Sequence, residues 1–149
     1  MSEVLAPSAG AVLPMTACVD EVFAQQLVGP GLVLDPPDGE TTVVAPIAGT
    51  LMKVHPHAFV VVGEGAGVLV HLGINTVKLE GAGFAVHVEQ GATVAAGDPM
   101  VTWDPAALPG EVAGQAISRQ VPVVVLDVPA EPLGPGQVRL RVAAATVNP

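Results

Sequence analysis

Glycine and proline interrupt this chain so often that only short elements fit between them: 17 Gly and 15 Pro stand among 149 residues. Turn clusters such as Pro36-Pro37-Asp38-Gly39, Gly63-Glu64-Gly65, Gly81-Ala82-Gly83 and Gly97-Asp98-Pro99 alternate with strand-like apolar runs. With three Phe, one Trp and no Tyr, the core must be built from Val, Leu, Ile and Ala. That combination predicts an all-β domain with a few short helical turns. Half of the residues are hydrophobic and 13% are charged, which excludes a disordered chain. The length suits one domain with a real core.

Strands are expected over Ala11–Pro14, Gly31–Asp35, Thr42–Ala45, Gly49–His55, Ala58–Gly63, Val68–Leu72, Met100–Asp104, Val121–Val128 and Gln137–Val142. Short helices are expected over Asp20–Val28, with Asp20 as N-cap and Gly29 as the stop, over Asp104–Leu108, and over Glu111–Arg119. Ala6-Pro7-Ser8-Ala9-Gly10 recurs 39 positions later as Ala45-Pro46-Ile47-Ala48-Gly49, each copy leading into an apolar strand. Two readings stand: a duplicated β unit whose halves pack on each other, or two similar strand-entry turns.

The formal charge of −9 disfavours a phosphate backbone as partner, so no nucleic acid is expected, and a protein with a basic face suits the chain better. The single cysteine, Cys18, cannot form an internal disulfide, which fits a reducing compartment. The start Met1-Ser2-Glu3 lacks the basic and apolar regions of a signal peptide. Apolar runs such as Val121 to Leu126 are too short to span a bilayer, so a cytoplasmic protein without membrane insertion is expected. A monomer is expected as well.

No phosphate-binding Gly-x-x-x-x-Gly-Lys loop and no Gly-x-Ser-x-Gly elbow is present. Cys18 reads as packing. Of the four histidines, His87 reads as a surface position on an alternating segment, without a role. His71, between Val70 and Leu72, has two readings: a core imidazole bonded to a backbone carbonyl, or a reactive group.

The run Gly73-Ile74-Asn75-Thr76-Val77-Lys78-Leu79-Glu80-Gly81-Ala82-Gly83-Phe84 after His71, with His57-Ala58-Phe59 upstream, closely resembles the glucose-family enzyme IIA domain of the bacterial phosphoenolpyruvate-dependent sugar phosphotransferase system. Further matches are Ala6-Pro7-x-x-Gly10, Asp20-x-Val22-Phe23-Ala24, Val28-Gly29-x-Gly31, Ala45-Pro46-x-x-Gly49, Gly91-x-x-Val94-x-x-Gly97-Asp98 and Pro122-Val123-Val124. The likeness runs from Val4 to Val142, leaving tails of 1–3 and 143–149. It implies a compact antiparallel β-sandwich or barrel with a duplicated hybrid motif. A free-standing IIA is expected from the Met1 start and the close end after the last strand.

The resemblance implies a phosphocarrier. Nε2 of His71 would take a phosphoryl group from phosphohistidine on HPr and pass it to a cysteine of an enzyme IIB domain during sugar uptake. A backbone carbonyl, that of Gly73, would hold the other ring nitrogen, and His57 would bond the phosphoryl oxygens. Val22, Phe23, Leu27, Leu69 and Leu72 match or lie near the family's apolar docking rim, and Asp20 matches one of its rim acids. No cofactor is implied beyond transient phosphohistidine; zinc shared by His57, His71 and a partner's carboxylate belongs only to a partner complex.

Three positions depart from the family pattern. Asn75 stands where the second rim acid is usual, so Asn75→Asp is expected to raise HPr-driven phosphorylation. Ala82 replaces a glutamate. His55 stands where a polar residue such as threonine helps orient the pair; the alternative is a solvated loop histidine. Rival functions are a regulatory protein that binds transporters, metabolic enzymes or kinases according to its phosphorylation, a zinc endopeptidase of similar fold, and a biotinyl or lipoyl carrier. The endopeptidase reading lacks a carboxylate at Asn75, and the carrier reading puts Lys53 within a strand.

Overall fold

The computed structural model describes residues 4–127. Among the described residues twelve strands form: β1 (Ala11–Pro14), β2 (Gly31–Asp35), β3 (Thr41–Val44), β4 (Gly49–His55), β5 (Ala58–Val62), β6 (Ala66–His71), β7 (Ala85–Val86), β8 (Thr93–Val94), β9 (Pro99–Trp103), β10 (Glu111–Val112), β11 (Gln115–Ala116) and β12 (Val121–Asp127). One α-helical turn, α1 (Glu21–Ala24), and 3-10 turns over Met15–Ala17, Thr76–Leu79 and Pro105–Ala107 accompany them. All strand pairs are antiparallel.

A seven-stranded sheet runs β1-β2-β12-β6-β5-β4-β8, and a three-stranded sheet β3-β9-β7 faces it. The period-two alternation of the central strands sorts their side chains into two clusters. Leu32, Leu34, Val68, Val70, Val123 and Val125 join Val43, Val101 and Trp103 in the core between the sheets. Their alternates Val33, Leu69 and Val124 face the other way, where Met15, Cys18, Phe23 and Ile74 cover them. Phe84 stacks on Trp103 with ring centroids 5.7 Å apart.

The repeated pentapeptides are joined reciprocally. The Leu5 N–H donates to the Pro46 carbonyl and the Val44 N–H to the Pro7 carbonyl, both at 2.9 Å. Each donor immediately precedes its own Ala-Pro, so the two bonds are related by the 39-residue offset. The glycine ending each copy is demanded by close backbone approach: a Cβ on Gly10 would overlap the Asp35 carbonyl oxygen, and one on Gly49 that of Val62. Hairpins β1-β2 and β4-β5 then flank the central β12-β6 pair on opposite sides. The duplicated-unit reading holds.

Asp20 caps α1 as expected, its carboxylate accepting from the Val22 and Phe23 N–H groups at 2.8 and 3.3 Å. The helix ends sooner than expected, however, and Gly29 is not its stop. Gln26 takes the left-handed conformation at φ 58°, and its N–H and that of Leu27 return to the carbonyls of Phe23 and Val22. Gly29 instead lets the chain pass against Val124 and Val125. The helix expected over Glu111–Arg119 is a hairpin, β10-β11, turned by Ala113 and Gly114 at φ 51° and 83°. The strand expected over Gln137–Val142, and Val128, lie outside the described residues. Among the described residues no helix is long and apolar enough to cross a membrane.

Candidate functional site

The β5-β6 hairpin brings two histidines together. Its register pairs Ala58 with His71, and the Leu72 N–H donates to the His57 carbonyl at 2.7 Å, so His57, in the turn just before β5, and His71, the last residue of β6, sit at the same end of the strand pair. Their rings meet edge to face with centroids 5.2 Å apart. Beyond them His55, the last residue of β4, is exposed to solvent and stacks on His57 at 5.8 Å, in a strand rather than a loop. Phe23 tilts against His71 from the other side at 5.4 Å.

His71 is held in one tautomer. Its Nδ1 lies 2.5 Å from the Gly73 carbonyl oxygen. A carbonyl only accepts, so Nδ1 carries the proton, and the lone pair of the neutral ring is on Nε2. Gly73 makes this possible by adopting φ +84°, which bends the chain back after β6. Burial pushes His71 below the usual histidine range; the Gly73 bond and the charge of Asp20 pull upward without overcoming it. His57 is pushed down to about 4, first by burial and then by the neighbouring His71 and His55 rings. Both imidazoles are therefore neutral at pH 7. The arrangement offers a neutral, oriented nucleophilic nitrogen with a second imidazole beside it.

The loop after His71 is pinned from a distant part of the chain. The Ile74 N–H donates to the Ser118 carbonyl at 2.8 Å and the Ser118 N–H returns to the Ile74 carbonyl at 3.2 Å. Asn75, left-handed at φ 64°, donates from Nδ2 to the Ala116 carbonyl at 2.8 Å. Gln120 reaches the opposite flank: its Oε1 accepts from the Val19 N–H at 2.8 Å and its Nε2 donates to the Ala17 carbonyl at 3.0 Å. The buried Thr76 hydroxyl donates to the Leu72 carbonyl at 2.7 Å. Sequence reading missed Ser118 and Gln120, which carry no motif of their own.

The rim residues divide. Val22 is 49% and Leu27 70% exposed, Leu69 and Asp20 are half-buried, and the charge of Asp20 is felt at His71. Phe23 is buried in the smaller cluster yet touches the His71 ring. Leu72 departs from expectation. It has no exposed surface, because strand alternation points it with Val68 and Val70 into the core, and it cannot contact a partner. His87 is exposed, its Nε2 bonded to the Thr102 hydroxyl at 2.7 Å. Lys53 is paired within β4 opposite Val60. Among the described residues no three His, Cys, Asp or Glu side chains are grouped to hold a metal ion.

Comparison with known proteins by sequence points to one family. A family model described as the phosphoenolpyruvate-dependent sugar phosphotransferase system, EIIA 1, matches residues 2–129. The glucose-specific EIIA component of Oceanobacillus iheyensis is 36% identical over 125 residues, covering 82% of this chain and 72% of that protein. The glucose-specific EIICBA component of Streptococcus pneumoniae is 45% identical over 105 residues, or 68% of this chain. The N-acetylglucosamine-specific EIICBA component of Escherichia coli is 43% identical over 107 residues, or 70% of this chain. This chain spans only 14% and 16% of those two longer relatives. Among solved structures, glucose permease IIA from Mycoplasma capricolum superposes with a TM-score of 0.74 at 33% identity, covering 83% of this chain and 79% of that one. Sequence match and fold thus agree over the segment that carries both histidines, and the chain belongs to the EIIA 1 family of the phosphoenolpyruvate-dependent sugar phosphotransferase system.

Proposed function

We propose that this domain carries a phosphoryl group on Nε2 of His71, taken from a phosphohistidine of HPr and delivered to a cysteine of an enzyme IIB domain, in the cytoplasm. The Gly73 bond to Nδ1 carries this reading, since it leaves the Nε2 lone pair as the only nucleophile on the ring. In acceptance, that lone pair forms a P–N bond to phosphorus as the donor's P–N bond breaks and its electrons return to the donor imidazole. In delivery, a thiolate forms an S–P bond as the Nε2–P bond breaks. His57, 5.2 Å away between ring centroids, donates an N–H to the phosphoryl oxygens and stabilises the charge they bear in transit. The family match, and the relatives named EIICBA or EIIBCA, support a IIB partner.

The test is intact-mass spectrometry after incubation with phosphoenolpyruvate, enzyme I and HPr. One acid-labile phosphate is expected on the wild type and none on His71→Ala. His57→Ala should accept phosphate yet lose onward transfer by about a hundredfold or more. Unchanged labelling of His71→Ala would overturn the acceptor assignment, and equal loss in both variants would overturn the role given to His57.

A further inference from the structure

The Gly73 carbonyl and the Ile74 N–H belong to one peptide unit, which is planar and rigid. Its oxygen end accepts from His71 Nδ1 at 2.5 Å, and its N–H end donates to the Ser118 carbonyl at 2.8 Å. Ser118, Ile74, Gly73 and His71 therefore form a continuous hydrogen-bond chain across a single peptide plane. Such chains polarise in the same sense and strengthen one another. Whatever fixes the 116–118 segment also fixes the direction of the Gly73 carbonyl, and with it the tautomer and tilt of the His71 ring.

Two further bonds hold that segment against the loop. One is the backbone return from Ser118 to Ile74 at 3.2 Å; the other is the Asn75 amide on the Ala116 carbonyl at 2.8 Å. Only the second depends on a side chain. Asn suits the place twice over, since it tolerates the left-handed backbone at φ 64° and carries the N–H donor that a carbonyl requires. An ionised aspartate would share the backbone tolerance, but it has no donor and would set a carboxylate against the Ala116 oxygen.

We propose that Asn75 is a positioning residue for His71, locking the Ala116–Ser118 segment onto the peptide plane that orients the imidazole. On this reading the amide replaces a charge that would face a partner with a bond that works inside the domain, so the gain in HPr-driven phosphorylation expected of Asn75→Asp from rim charge alone is opposed by the loss of that bond. The inference rests on the phosphocarrier role only for its consequence; the positioning itself concerns the unphosphorylated protein.

The test uses Asn75→Asp, which removes the donor and adds charge, and Asn75→Gly, which removes the donor, adds no charge and keeps the left-handed backbone accessible. The His71 ring nitrogens are read by 15N NMR on unphosphorylated protein. Wild type should show a protonated Nδ1 and an unprotonated Nε2, and both variants should show the two signals moving toward each other as tautomers mix. In parallel, phosphoramidate serves as a small phosphodonor, which takes partner docking out of the measurement. Its rate of labelling His71 should fall about tenfold in both variants, since small misplacements of a reacting group cost up to about a hundredfold. Wild-type tautomer signals and rate in Asn75→Gly would overturn the proposal. A fall confined to Asn75→Asp would overturn it too, by making the effect one of charge. Failure of the wild type to accept phosphate from HPr would refute the phosphocarrier reading alone, because the nitrogen spectra still decide the positioning.

Discussion

The Gly73 carbonyl oxygen lies 2.5 Å from Nδ1 of His71, two residues back along the chain, and only a glycine can hold it there. At φ +84° a side chain is strained whatever the space, and here there is no space. A Cβ would stand 2.5 Å from the Thr76 methyl and 2.8 Å from the Ser118 carbonyl oxygen. Gly73→Ala should therefore cost about 1–3 kcal/mol of stability and turn the carbonyl away from His71. Urea unfolding and phosphoramidate labelling together check this. A variant with wild-type midpoint and rate would show that the loop relaxes without consequence for the ring.

Local signals made much of this arrangement legible in the sequence. β1, β2 and β4 occupy the ranges expected from their apolar runs, and Asp20 caps the turn it was expected to cap. The repeated Ala-Pro segments announced the duplication, which the Leu5–Pro46 and Val44–Pro7 bonds realise. What stayed hidden depends on distant partners or on backbone that composition does not specify. The β10-β11 hairpin has two-residue strands and turns on Ala113 at positive φ, a conformation alanine does not advertise. Asn75 read as a lost charge because its partner, the Ala116 carbonyl, lies 41 residues away. Gln120 meets Ala17 and Val19 across more than 100 residues, and nothing local marks it. Leu72 was expected on the docking rim by its likeness to the family pattern, but nearness to His71 in sequence does not say which face a side chain takes, and its alternation with Val68 and Val70 buries it.

Neutral histidines in the folded state give stability a definite pH dependence. The pKa of His57 is lowered to about 4 from an ordinary value of 6.5, with burial the leading cause, and that of His71 is lowered as well. Between those values the unfolded chain binds protons that the folded domain refuses, so unfolding takes up protons and stability rises with pH. The contribution is fully present above pH 6.5 and is lost as pH falls toward 4. Urea midpoints should drop between pH 7 and pH 5, and His57→Gln should drop less because it removes one of the two groups. NMR titration should place the His57 midpoint near 4. A midpoint at or above 6.5, or an identical pH slope in His57→Gln, would refute the neutral pair.

Two of the three leucines expected on the docking rim, Leu27 and Leu72, should separate cleanly when truncated. Leu72 is wholly buried among core side chains, so Leu72→Ala removes packed methyl groups and leaves a cavity, costing about 2–5 kcal/mol. Leu27 is 70% exposed just past the α1 turn, where truncation touches little inside the domain and should change stability by less than about 0.5 kcal/mol. Binding should show the reverse order. Leu27→Ala is expected to weaken HPr association severalfold by calorimetry, as loss of an exposed apolar contact does, whereas folded Leu72→Ala should bind as wild type does. If Leu72→Ala instead kept its stability and lost HPr binding, the strand would have to present that side chain outward, against the alternation that also sets the direction of His71.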